Sequence, residues 1–117
     1  MIDTFTFDSL KHAVESRSPV LIQYGNLFRY VCPHMLGTTK DKGIVLHGYQ
    51  YKGDTSSGTI TDPLKGEWRF FYATKMQGVT VLPQGEWYPA PDLLKSEPDA
   101  YKPPAFVTKV YALAKRQ

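Results

Sequence analysis

Glycine and proline are segregated along this chain, and the segregation limits what it can fold into. All nine glycines lie between Gly25 and Gly85, while six of the nine prolines fall within residues 83–104. Residues 20–82 therefore read as short strands separated by turns, and 83–104 as an irregular extended arm. At 117 residues the chain is long enough for one compact core and too short for two ordinary domains. The organisation predicted is a folded unit over residues 1–85, followed by a proline-rich arm and terminal segment over 86–117.

Local patterns fill in this outline. Phe7, Leu10, Ala13 and Val14 share one face at helical spacing, so residues 7–17 are predicted helical, with Thr6 or Asp8 as N-cap and Pro19 closing the segment. Val20–Tyr24 has strand composition, and Gly25-Asn26 marks a tight turn into a second strand, Leu27–His34. A polar connection over Gly37–Gly43 leads to Ile44–Lys52. There Ile44, Leu46 and Gly48 face one way and Val45, His47, Tyr49 and Tyr51 the other, so this strand is central, with apolar side chains on both faces. A polar loop over 53–66 has strand character at Thr59–Thr61 and precedes strands at Glu67–Thr74 and Val79–Leu82. One helix followed by five such strands predicts a mainly β fold, a small strongly bent antiparallel sheet closing into a barrel. After Pro103-Pro104, the apolar residues Phe106, Val107, Val110, Tyr111, Leu113 and Ala114 fit a helical arm with one wide apolar face. Its packing on the barrel or on a partner is expected to bury Phe106, Val110 and Leu113.

Charge and cysteine content narrow the functional classes. The net charge is +3, but residues 17–75 carry eight Lys or Arg against four Asp or Glu. This suits an anionic partner while falling short of a dedicated duplex-binding domain. The single cysteine, Cys32, excludes an intramolecular disulfide and a cysteine-based zinc site. His12, His34 and His47 lack metal-ligand spacing, so neither a metal nor a cofactor is implied. Cys32 with His34, or Asp54 with Asp62, makes a weak catalytic pair, since nothing in the sequence orients the imidazole or raises a carboxyl pKa. No run of about 18 apolar residues is present to span a membrane, and the first residues lack the pattern of a signal peptide. A cytoplasmic protein that is not an enzyme is expected.

One cluster carries chemistry. Arg29, Arg69 and Lys75 fall on or beside neighbouring predicted strands, among Tyr49, Phe71 and Tyr72. Guanidinium groups interleaved with aromatic rings bind phosphates and stack bases. The alternative is that these cations cap a barrel rim or pair with Glu67 and Asp62.

The order of elements resembles the WYL domain over about residues 7–85. The likeness runs through the helix with Leu10 and Ala13, then Val20–Tyr24, then Arg29-x-Val31-x-Pro33-x-x-Leu36. It continues through Leu46-x-Gly48-Tyr49, Phe71–Met76 and Val79-x-x-Leu82. The chain departs from the family where Ile44-Val45-Leu46 replaces Trp-Tyr-Leu, and where Tyr72 and Lys75 stand at two arginine positions. The resemblance implies an Sm-like β-barrel, here stand-alone, that senses ligands or contacts nucleic acid in bacterial regulators. The combined expectation is a regulatory module binding an anionic nucleotide or single-stranded nucleic acid through Arg29, Tyr49, Arg69, Tyr72 and Lys75. The alternative is an interaction or self-associating adaptor that meets a second copy or a regulator protein through its apolar C-terminal arm.

Overall fold

The computed structural model describes residues 3–83, 85–88 and 103–114. Helix α1 spans Thr4–Ser16, and the Asp3 carboxylate accepts the Thr6 amide proton at 2.7 Å. The helix thus begins before Thr6 or Asp8, because Asp3 satisfies a first-turn donor that would otherwise be orphaned. Arg17 ends it in a left-handed conformation, φ 55°, and the Ser18 amide closes on the Ala13 carbonyl at 2.9 Å. Leu10, Ala13 and Val14 form its buried face.

Among the described residues seven strands follow: β1 (Val20–Tyr24), β2 (Leu27–Thr39), β3 (Gly43–Thr55), β4 (Gly58–Ile60), β5 (Glu67–Tyr72), β6 (Met76–Val81) and β7 (Val107–Leu113). The fold is mainly β and antiparallel, as expected, but the sheet does not close into a barrel. Its continuous order is β4-β3-β2-β1-β6, with β5 attached to β3 and β7 to β2. The physical reason lies in the two 13-residue strands. Each changes partner partway along. β2 pairs with β1 through Val31 and with β7 from Met35 onward. β3 pairs with β5 over Val45–Gln50 and with β4 over Gly53–Thr55. Irregularities at Tyr30/Val31 and Pro33/Met35 mark the bend in β2, where Pro33 has no amide to donate. The sheet therefore branches where a barrel would curl.

The C-terminal helical arm is also corrected: residues 107–113 form a strand along β2. Register slips once between Leu36 and Gly37 and again between Thr38 and Thr39, leaving extra residues on the β7 side. Two bulges in so short a strand break the two-residue alternation and leave apolar spacing that suits a helix. Gly37 permits the approach, since a Cβ there would lie 2.6 Å from the Lys109 carbonyl oxygen. The arm buries Ala112, while Phe106, Val110 and Leu113 stay exposed.

The sheet separates two clusters. On the helix side, Leu10, Ala13 and Val14 pack with Val20, Ile22, Val31, Leu36, Leu46, Phe71 and Ala112. On the other face, Cys32, Tyr49 and Tyr51 pack with Tyr30, Trp68, Trp87 and Tyr88. The two-sided character predicted for the central strand is realised in β3. Among the described residues no helix is long and apolar enough to cross a membrane.

Candidate functional site

Arg29 enters the helix-side cluster from β2, opposite Gly53 of β3, and is only 6% exposed. Its guanidinium carbon lies 5.6 Å from the Tyr24 ring centre and 5.7 Å from that of Phe71, rings that meet edge to face. Nη1 donates to Gln50 Oε1 at 3.2 Å. Gln50 is itself fixed, because its Nε2 donates to the carbonyls of Asp54 at 2.9 Å and Lys52 at 3.3 Å. The amide oxygen must therefore face the arginine, which is held by two rings and one acceptor, with no carboxylate in contact among the described residues.

Arg69 joins it from β5, opposite Gly48. Its Nη2 pairs with Glu67, two residues away on the same strand; the arginine side chain is 27% exposed and the glutamate 51%. Burial, then the charge of Arg69, pulls the Arg29 pKa downward; Tyr24, Asp54 and Glu67 act the other way. Both Nε atoms, on Arg29 and on Arg69, are buried donors without a partner among the described residues. Such a donor costs about 1–3 kcal/mol unless something accepts from it. Arg29 and Arg69 thus present two cations close enough for one charge to act on the other, the Arg69 side chain partly open to solvent.

The structure brings together two of the five predicted residues. Tyr49 is on the opposite face, 1% exposed. Its hydroxyl donates to the Pro63 carbonyl at 2.7 Å and accepts from the Gly66 amide at 2.8 Å, so it pins the loop before β5. Tyr72 ends β5 with the Lys42 ammonium 5.1 Å above its ring. Lys75 is exposed on a 3-10 turn, and it is not among the charges acting on Arg29. Tyr24 and Gln50 are the residues that sequence reasoning missed. The signal for Gln50 was present: a polar side chain in the middle of an apolar strand, sharing the Leu46 and Gly48 face.

The other face is aromatic. His47 stacks on Phe70 with centroids 4.1 Å apart and lies 4.9 Å from Trp68, which His34 also approaches at 4.8 Å. The His34 Nδ1 is 2.9 Å from the Cys32 carbonyl, so that nitrogen carries the proton and donates. Burial pushes the Cys32 thiol up to about 12, and its sulfur accepts from the Tyr88 amide at 3.3 Å. Neither state suits a nucleophile. Asp62 caps the 3-10 turn Pro63–Lys65 through the Leu64 amide.

Burial, followed by the His34 charge, pulls the His47 pKa from 6.5 to about 4. The folded protein keeps this imidazole neutral where the unfolded chain protonates it. Its contribution is complete above pH 6.5, falls as pH drops towards 4, and is flat below. The expected loss is about 3 kcal/mol across that window. Urea unfolding at neutral and acid pH should show His47→Phe losing less stability than wild type by that amount; equal losses would show that His47 does not supply the acid sensitivity.

A cavity of about 330 Å³ lies on this same face, against Tyr30, Tyr51, Lys52, Glu86 and Tyr88. Among the described residues no three His, Cys, Asp or Glu side chains are grouped to hold a metal ion. No family model, curated protein or solved structure matches the chain, so its own geometry is what bears on function.

Proposed function

We propose that the chain is a WYL-like sensing module of the cytoplasm that binds an anionic nucleotide or single-stranded nucleic acid at Arg29 and Arg69, without catalysis. The observation that carries this reading is the pair of guanidinium groups with unfilled buried Nε donors, one of them walled by Tyr24 and Phe71. Phosphate accepts from both edges of a guanidinium, which makes it a fitting occupant. Glu67 holds Arg69 in the unliganded state, and an incoming phosphate competes with it.

Titration of labelled oligothymidylate and of nucleoside phosphates tests this. Arg69→Ala is expected to weaken binding about tenfold and to lower the salt slope by about one, while Glu67→Gln strengthens binding. Arg69 is partly exposed, so the variant keeps its fold, which its melting temperature checks. Absence of binding by wild type at low salt, where phosphate contacts are strongest, overturns the proposal. The adaptor reading draws on a different observation: among the described residues β7 pairs only with β2, and it exposes Val110 and Leu113 beside Phe106. An edge strand of this kind suits pairing with another chain. Concentration-dependent sedimentation without ligand binding would favour it.

A further inference from the structure

The continuous strand order ends at β6, which pairs with β1 and with no other strand among the described residues. The Leu82 amide donates to the Pro19 carbonyl at 2.8 Å, and this bond fixes which way the backbone groups of β6 point. Bonded pairs alternate along an antiparallel ladder, so Thr80 and Gly78 commit their amides and carbonyls to Leu21 and Gln23. The amides and carbonyls of Val79 and Val81 therefore face away from β1, along the outer edge. Unpaired edges invite further strands, and folded proteins blunt them with charges, bulges, prolines or short length. Three strands here are blunted in this way: β4 is three residues long, β5 carries Glu67 and Arg69, and β7 carries Lys109 and two register slips. β6 differs. Residues 76–81 hold no charge and no proline, and the one irregularity of the β1–β6 ladder lies at its Met76 end.

The strand also fits itself. Related by a two-fold axis at Val79, two copies of β6 bring their outward backbone groups together, with Val79 opposite its counterpart, Gln77 opposite Val81 and Gly78 opposite Thr80. No charges meet across that seam. Val79 and Val81 already pack against the helix-side cluster, so two copies continue one apolar layer across the axis. Gly78 and Thr80 lie on the exposed side and are small enough to clear each other. We propose that β6 is a self-association surface, on which a second copy of this chain adds its own β6 antiparallel to the first and joins the two sheets into one. A two-fold contact of this kind closes after two copies, because it consumes the unblunted edge of each. The seam is small, so the dimer exchanges with the monomer rather than being permanent.

Sedimentation equilibrium of the full chain from about 1 μM to about 1 mM tests this, since seams of this size form within that range. The average mass should rise from 13.3 kDa towards twice that value. Over the same range, hydrogen exchange of the Val79 and Val81 amides, followed by NMR, should slow as concentration rises, because those protons become bonded. Two double variants test the register. Gly78→Lys with Thr80→Lys sets like charges across the seam twice and should weaken association about tenfold, whereas Gly78→Glu with Thr80→Lys sets opposite charges there and should keep association near the wild-type level. Both positions are exposed, and a Cβ at Gly78 meets nothing nearer than 3.9 Å, so the dilute variants should melt as wild type does. The proposal is overturned if the wild type stays at 13.3 kDa throughout. It is overturned equally if the chain associates while the Val79 and Val81 amides exchange freely, or if the double lysine variant associates as wild type does, since the contact then lies on another surface.

Discussion

Phe71→Ala is expected to cost about 3–5 kcal/mol, a large share of the roughly 5–15 kcal/mol that stabilises a typical domain. Phe71 is 1% exposed, lies opposite Leu46 in the β3–β5 ladder, and packs in the cluster beneath α1. Deleting its ring leaves a void bounded by a helix and a branched sheet, neither of which can collapse into it without breaking hydrogen bonds. The same ring is a wall of the Arg29 site, 5.7 Å from the guanidinium carbon. Phe71→Leu should retain over half of the lost stability, since it restores most of the volume, but it cannot restore the π face. Urea unfolding of the two variants separates the roles: Phe71→Leu should fold stably and yet bind phosphate ligands more weakly than wild type. A loss under about 1 kcal/mol for Phe71→Ala would contradict its place in the core.

Gly53→Ala carries the second large effect. Gly53 has φ 100°, where a side chain is strained, and an added Cβ would lie 2.4 Å from the Phe28 carbonyl oxygen and 3.3 Å from the Arg29 Cα. Strain of about 1–3 kcal/mol and a comparable cost of overpacking put the expected loss near 4 kcal/mol. The obstacle is backbone rather than a mobile side chain, so β2 and β3 must separate to admit the methyl group. Thermal unfolding gives the magnitude, and a melting temperature equal to wild type would contradict the close approach of the two strands. Because Gly53 is the ladder partner of Arg29, the substitution also shifts the arginine relative to Gln50.

Local pattern reached much of this fold because β1, the first half of β2, β3 and β5 are regular. Alternation over Ile44–Tyr51 was enough to assign Leu46 and Tyr49 to different sides of the sheet, and with them the two clusters. What alternation could not convey was partner exchange. Nothing in the residues of β2 states that Val31 and Met35 will serve different strands, since that depends on β7 arriving from about 70 positions away. The bulges of β7 then removed the period by which the strand would have been recognised. The candidate site divides in the same manner. Arg29 and Arg69 were legible as cations near aromatics, but their convergence requires the β3–β5 register that sets Arg69 across from Gly48. Tyr49 reads as a ring near the cations, although its own strand's alternation sets it apart from the Gly48 and Gln50 face.

The amide bond from Tyr88 onto the sulfur of Cys32 has a practical consequence. The thiol is fully covered and its ionisation is suppressed, so an alkylating reagent in neutral solution makes progress only during moments when residues 85–88 lift from the sheet. Cys32 is thereby a built-in clock for that movement, needing no introduced label. Because Glu86 and Tyr88 belong to the segment that must lift, any molecule lodged against them slows the clock, and its occupancy can be read from the mass of the chain alone.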